Sequence, residues 1–138
     1  MNEVLVDTSI WSLLVRRTPE RLAPAELRQR DECFRLVRVR LGVIVGPVRQ
    51  ELLSGVRDPA QFERIRTRVA PLIDLPLSAR DFELAAEASN NLKWKGIAVS
   101  PVDALLCALS IDRGFPIFTA DRDFHRILDV LPIRLHTP

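Results

Sequence analysis

The stretch Val4-Leu5-Val6-Asp7-Thr8-Ser9-Ile10-Trp11-Ser12-Leu13-Leu14, residues 4–14, decides how the rest of the chain is read. Val4-Leu5-Val6 is a short apolar run with two β-branched residues, the pattern of a buried strand. Asp7-Thr8-Ser9 then supplies turn and helix-start chemistry, and Ile10, Leu13 and Leu14 recur at helical spacing. A strand passing through a turn into a helix is the opening of an α/β unit, and the question is whether the pattern repeats.

It does. Pro19 and Pro24 punctuate a connection, and a second helix is expected from about Ala25 to Val39, with Leu27, Phe34, Val37 and Leu41 near one face. Val43-Ile44-Val45, bounded by Gly42 and Gly46, reads as a strand. Pro47 suits the first turn of a helix that carries Glu51-Leu52-Leu53 and stops at Gly55. A further helix spans about Pro59 to Val69, and Leu72-Ile73-Asp74-Leu75 is the third expected strand. Ser78 and Asp81 have capping-box spacing and open a helix through Leu84, Ala85, Ala88 and Leu92, closed by Gly96. Ser100-Pro101 opens another, apolar at Leu105, Leu106 and Leu109 and ended by Gly114. Pro116 to Thr119 is a strand, Asp121 to Leu128 a short helix, and Ile133-Arg134-Leu135 a last strand. Short apolar strands alternating with helices predict an α/β fold with a mostly parallel central sheet and helices on both faces. Without repeats, low-complexity tracts or linker-like composition, residues 1–138 read as one domain.

Composition narrows the function. The chain has 138 residues, 47% hydrophobic and 28% charged, the balance of a globular protein able to bury a core. No apolar run approaches the roughly 18 residues that span a bilayer, so no membrane association is expected. Met1-Asn2-Glu3 lacks the basic leader of a secretory signal and Val4-Leu5-Val6 is too short for its core, which predicts a cytoplasmic location. Cys33 and Cys107 have neither CxxC spacing nor a nearby histidine, and they read as reduced thiols packed in helix faces rather than a zinc or redox pair. The net charge of +2 is uneven: residues 1–70 hold 13 Arg and nine acids, residues 71–138 seven basic residues and nine acids. Eighteen of the twenty basic residues are Arg, whose planar fork binds phosphate oxygens in pairs, a lean toward a polyanionic partner.

In an open parallel sheet, ligands bind beyond the carboxyl ends of the strands. Asp7 follows the first strand and Asp121 the strand ending at Thr119, while Asp103 sits in the first turn of its helix and Glu51 on the helix after the second strand. Each acid alone has a structural explanation. Asp7 and Asp121 stand where an N-cap belongs, an effect worth about 1 kcal/mol. Asp103 has capping-box spacing from Ser100, and Glu51 suits a solvated helix face. Capping does not explain four acids at one sheet edge. Carboxylates that meet there repel unless a cation compensates, and Mg²⁺ or Mn²⁺ is the hard ion that oxygen donors suit.

The ordered set Val6-Asp7-Thr8-Ser9, Gln50-Glu51-Leu52-Leu53-Ser54-Gly55, Asp103-Ala104-Leu105-Leu106-Cys107-Ala108 and Thr119-Ala120-Asp121-Arg122-Asp123-Phe124 resembles a PIN domain. Within that superfamily it is most similar to the VapC toxins of prokaryotic toxin–antitoxin pairs. The likeness runs nearly end to end, including Gly114-Phe115-Pro116-Ile117-Phe118 before the last acidic motif. It implies that Asp7, Glu51, Asp103 and Asp121 form a catalytic quartet holding Mg²⁺ or Mn²⁺. It implies an auxiliary role for Asp123, either outside the coordination sphere or on a second ion, and makes Thr119 and Ser9 hydroxyl-bearing positions near the metal. The implied activity is metal-assisted hydrolysis of RNA phosphodiester bonds. The implied partners are an RNA substrate, a second copy in a homodimer, and a small VapB-like antitoxin whose C-terminal segment blocks the acidic cleft. A catalytically degenerate PIN-fold binding protein, or a housekeeping PIN nuclease without an antitoxin, are the alternatives. The stretch after the third acid is usually Ala-rich in this family, and Leu106-Cys107-Ala108 departs from that, which bears on packing alone.

Other residues keep two readings. Arg16, Arg17, Arg21, Arg28, Arg30, Arg35, Arg38 and Arg40 crowd the first helical region, either as a solvated face with pairs such as Asp31 with Arg35 or as a phosphate track. Trp11 and Trp94 can pack or stack on a base. His125 and His136 read as surface or packing residues, since a metal-activated water needs no histidine base. A phosphoryl-transfer receiver domain would want paired acids after the first strand and a Lys near the end, whereas the only lysines are Lys93 and Lys95. A haloacid-dehalogenase-type phosphatase would want DxD where Asp7-Thr8-Ser9 stands.

Overall fold

In the computed structural model, which describes residues 3–138, the opening stretch is β1 (Val4–Val6) followed by α1 (Thr8–Val15). The reading of a missing secretory leader falls partly on Met1 and Asn2, outside the described residues. Asp7 caps α1: its backbone is extended, and its side chain accepts from the Thr8 N–H. The chain continues through a 3-10 turn (Pro19–Arg21), α2 (Pro24–Arg38), β2 (Gly42–Ile44), α3 (Gly46–Leu53), α4 (Pro59–Val69) and β3 (Ile73–Asp74). It ends with α5 (Ala79–Trp94), α6 (Pro101–Arg113), β4 (Ile117–Phe118) and α7 (Asp123–Leu128).

The four strands form one sheet in the order β3-β2-β1-β4, all parallel. Leu5 pairs with Val43 on one side and with Ile117 on the other, so β1 is a central strand, and its three residues are buried. Helices α1 to α4 pack among themselves, while α5 and α6 form a separate, extensively packed pair. The expected α/β architecture is therefore present. No helix among the described residues is long and apolar enough to cross a membrane.

The order also positions the site. From β1 the chain steps outward to β2 and β3, then returns to place β4 on the opposite side of β1. Where successive connections leave adjacent parallel strands in opposite directions, a crevice opens at their carboxyl ends. Here that point lies between β1 and β4, beside Asp7 and Thr119.

Three expected details differ. The strand at Ile133–Leu135 is a single parallel bridge, Ile117 with Leu135, in which Ile117 N–H donates to Arg134 O and His136 N–H to Ile117 O. Pro132 just before it lacks an N–H, and Ile133 N–H is spent on Leu131 O, so pairing is confined to one residue. On α2 the buried residues are Cys33 and Leu36, and Phe34 is half exposed. The i to i+7 series Leu27-Phe34-Leu41 competes with this narrower strip on a helix crowded with Arg. Arg35 pairs with Glu32, not Asp31, through Nε–Oε1 and Nη2–Oε2 bonds of 2.6 and 3.0 Å.

Other expected local chemistry is present. Asp81 and Ser78 form the capping box of α5, and Arg113 donates to the buried Asp81 carboxylate at 2.8 Å. Gly114 ends α6 in the left-handed conformation at φ 73°, its N–H bonded to Ser110 O, a cap that suits glycine. Cys33 and Cys107 are buried in the core, and burial pushes both thiols up to about 12, the character of packed, unreactive cysteines.

Candidate active site

Asp7 is the centre of the site because three donors converge on it. Its Oδ1 accepts from the Thr8 N–H at 2.7 Å; its Oδ2 accepts from Ser9 Oγ at 2.9 Å and from Thr119 Oγ1 at 2.7 Å. The two hydroxyls are themselves oriented, since Ala120 N–H donates to Ser9 Oγ at 2.9 Å and Asp121 N–H to Thr119 Oγ1 at 3.0 Å. Each hydroxyl thus receives a backbone proton and gives its own to Asp7. These relays lock the loop after β4 onto the loop after β1. They also place Ser9 and Thr119 at the site by contact with Asp7.

Four elements bring the acids together. Asp7, Glu51, Asp103 and Asp121 all line one crevice of about 640 Å³, walled also by Thr8, Ser9, Gln50, Ser54 and Ser100, with Pro47 and Val102 as apolar rim. Asp103 arrives on the first turn of α6, whose N-cap Ser100 accepts from the Asp103 N–H at 3.1 Å. Glu51 reaches in from α3 and accepts from Thr8 Oγ1 at 2.6 Å. Asp121 is turned by the loop before α7, where its Oδ1 accepts from the Asp123 N–H at 2.9 Å. Asp123 itself is not among the residues lining the crevice. Thr8, Gln50, Ser54 and Ser100 did not stand out in the sequence as wall residues. The Thr8 contact spans 43 positions and depends on how α1 meets α3, so no local signal carries it.

The electrostatics of the crevice are one-sided. No Arg, Lys or His lines it, and none of the four acids forms an ion pair among the described residues. Burial pushes the Asp103 carboxyl up to about 6, and the neighbouring charges of Asp7, Asp121 and Glu51 add to the shift. That is the signature of carboxylates gathered without a compensating cation. Among the described residues, however, no three His, Cys, Asp or Glu side chains are close enough to enclose a single ion. The two facts agree for a strongly hydrated cation. Mg²⁺ keeps several waters and takes one or two direct carboxylates, with other acids reached through water. The donors present, all oxygen, fit Mg²⁺ or Mn²⁺ and not a thiolate-loving metal.

The aromatic and histidine candidates lie elsewhere. Trp11 is fully buried in the core, and its indole Nε1 has no partner among the described residues, so the packing reading holds. Trp94 is exposed at the end of α5. His136 packs edge-on against Phe118, with its Nε2 2.6 Å from Glu32 Oε2, and is a packing residue. Of the crowded arginines, Arg35 is committed to Glu32 and Arg17 lies 3.6 Å from Glu26. Arg16, Arg17 and Arg30 line a separate groove with Phe34 and Arg68.

The PIN domain family model matches residues 4–129, and the chain belongs to the PIN domain family. No curated protein sequence matches it. Among solved structures, it is similar to a chain of VapBC2 from Rickettsia felis bound to a DNA fragment from their promoter, at 18% identity and a TM-score of 0.73, covering 96% of each chain. It is also similar to a chain of DNA-bound VapBC from Salmonella typhimurium (22% identity, TM-score 0.70, 99% and 98% covered). A chain of FitAcB from Neisseria gonorrhoeae is a third (15%, 0.67, 98% and 97%). At these identities the likeness is one of fold.

Proposed function

We propose that this chain is a divalent-metal-dependent endoribonuclease of the cytoplasm, the toxin member of a VapBC-type toxin–antitoxin pair. The observation that carries the reading is the convergence of Asp7, Glu51, Asp103 and Asp121 from four elements into one crevice that no basic side chain neutralises. A bound Mg²⁺ or Mn²⁺ supplies Lewis-acid activation of a water and relief of charge on the phosphoryl oxygens. The protein's share is placement. Asp7 Oδ2 is occupied by two hydroxyl donors and Oδ1 by one N–H, which leaves one acceptor position on Oδ1 that a cation would use. Asp121 is the crevice-lining acid of its pair, and Asp123 supports it through the backbone N–H. Ser9 and Thr119 hold Asp7 rigid so that the cation meets a fixed oxygen.

The partners follow from the same reading. The substrate is RNA, and the family likeness to toxin–antitoxin complexes supports a VapB-like inhibitor. A second copy of the chain suits the apolar groove between α5 and α6, where the half-exposed Phe82 lies near Pro47 and Val102 on the crevice rim. The groove of Arg16, Arg17, Arg30 and Arg68 offers a positive surface beside the exposed Phe34.

The test is cleavage of a mixed RNA pool by purified protein with Mg²⁺, with Mn²⁺, or with EDTA, against Asp7→Asn. The native protein cuts RNA only with the metal, and Asp7→Asn loses about a hundredfold or more. Equal cleavage in EDTA, or full activity in the variant, contradicts the nuclease reading. Metal-dependent cutting of DNA alone would contradict the RNA assignment, and no cutting at all would favour a degenerate PIN-fold binding protein. Co-purification with a small partner encoded beside it separates the toxin from a housekeeping nuclease.

A further inference from the structure

We infer that Thr8 is the positioning residue for Glu51, and that its hydroxyl, rather than helix packing, brings the fourth carboxylate to the cation. The inference rests on the metal-dependent reading of the crevice and adds a residue to it. Glu51 lies near the end of α3, a helix that buries only Val48 and Leu52 and leaves Glu51 exposed. A long, exposed glutamate on such a helix has several rotamers, and holding it in one costs side-chain entropy that a contact must offset. The Thr8 hydroxyl is the one hydrogen-bond donor to the Glu51 carboxylate among the described residues, at 2.6 Å, the short distance of a charge-assisted bond.

Thr8 is suited to this by its place. As the first residue of α1 it presents its N–H to Asp7 Oδ1 and its hydroxyl to Glu51 Oε1, so one residue sets the separation of two acids carried by different helices. It also occupies one oxygen of Glu51 and leaves Oε2 for the crevice. The contact crosses from α1 to α3, so it is lost when the hydroxyl is removed even if both helices stay in place. Groups that orient ligands from outside the coordination sphere typically change metal affinity or activity 10–100-fold when removed.

The experiment is calorimetric titration of the full chain with Mn²⁺, for the native protein, Thr8→Val, Thr8→Ser, Glu51→Gln, and Thr8→Val combined with Glu51→Gln. Thermal melts of each metal-free variant accompany the titrations. Thr8→Val is expected to weaken Mn²⁺ binding about tenfold. Thr8→Ser, which restores a hydroxyl, recovers most of that loss. In the Glu51→Gln background Thr8→Val adds nothing, because the residue acts through Glu51. Native-like affinity in Thr8→Val, failure of Thr8→Ser to rescue, or a further loss in the double variant would each overturn the inference. If the native protein takes up no Mn²⁺, the metal reading falls as a whole, and that result is distinct from an intact native titration with an unaltered Thr8→Val.

Discussion

Asp103→Asn is expected to make the metal-free protein more stable while abolishing metal-dependent RNA cleavage. The two effects have one origin. Burial and the charges of Asp7, Asp121 and Glu51 raise the Asp103 carboxyl to about 6. A carboxyl raised in the folded state above its unfolded value holds its proton more tightly when folded, so folding is penalised as pH rises from about 4 through about 6. The penalty is complete above that range. At full weight a shift of this size is worth about 3 kcal/mol, and solvent screening of a partly exposed group reduces it to about 1–2 kcal/mol. Asparagine carries no charge and removes the penalty. It also removes one of the acids that attract the cation, so cleavage falls about a hundredfold or more.

Melts of native protein and variant at pH 7.5, with and without Mn²⁺, read both signs together. Without metal the variant melts higher; with metal the native protein gains stability and the variant does not. A variant that is less stable without metal, or that gains equally with it, would contradict the electrostatic picture. Such a trade of stability for function is common where like charges are gathered for a ligand.

The second large effect concerns a contact that only the folded chain assembles. Glu32 on α2 is held by Arg35 and by His136, whose segment crosses over from the far end of the sequence, and its side chain is 10% exposed. The Arg35 hydrogen bonds, opposed by burial and helped by His136, bring the Glu32 carboxyl down to about 2. A depressed carboxylate contributes stability above its unfolded value near 4.3 and loses it as pH falls toward 2. Glu32→Gln is therefore expected to cost about 2 kcal/mol near neutral pH. For a domain of this size that is about 8 °C in melting temperature. The variant should also be flatter than the native protein between pH 4.5 and 2. Urea unfolding at pH 7 and pH 3 checks both points. Equal stability at pH 7 with the same acid loss would mean that Glu32 does not tie the C-terminal segment to α2.

What could be read in the sequence was local chemistry joined to one topological rule. The run Val4–Val6 into Asp7 announces strand, cap and helix because each step is decided by adjacent residues. The same holds for the Ser78–Asp81 box and the Gly114 cap. The meeting of Asp7 and Asp121 follows once the strands are taken as parallel, because both stand at strand carboxyl ends, and Asp103 joins them because α6, which runs back to the start of β4, begins at that edge. What escaped was set by packing between distant segments. Glu32, the partner of Arg35, is also in contact with His136, 104 residues away, and it could not be ranked against Asp31 from spacing alone. The exposure of Phe34 was hidden because α2 offers two overlapping stripes. Thr8 stood beside Asp7 in plain view, yet its partner Glu51 becomes visible only when α1 and α3 are placed together. Asp121 and Asp123 were indistinguishable by residue type, and the turn of the loop before α7 decides which of them faces the crevice.

The proposed nuclease would hold its cation beyond the carboxyl ends of β1 and β4. Anomalous diffraction at the manganese edge, from crystals of the protein soaked in Mn²⁺, addresses it directly. A peak in the crevice beside Asp7 and Asp103, absent from crystals of Asp103→Asn, is the predicted result. Ordered crystals with no peak there, or with manganese only at other surfaces, would contradict it.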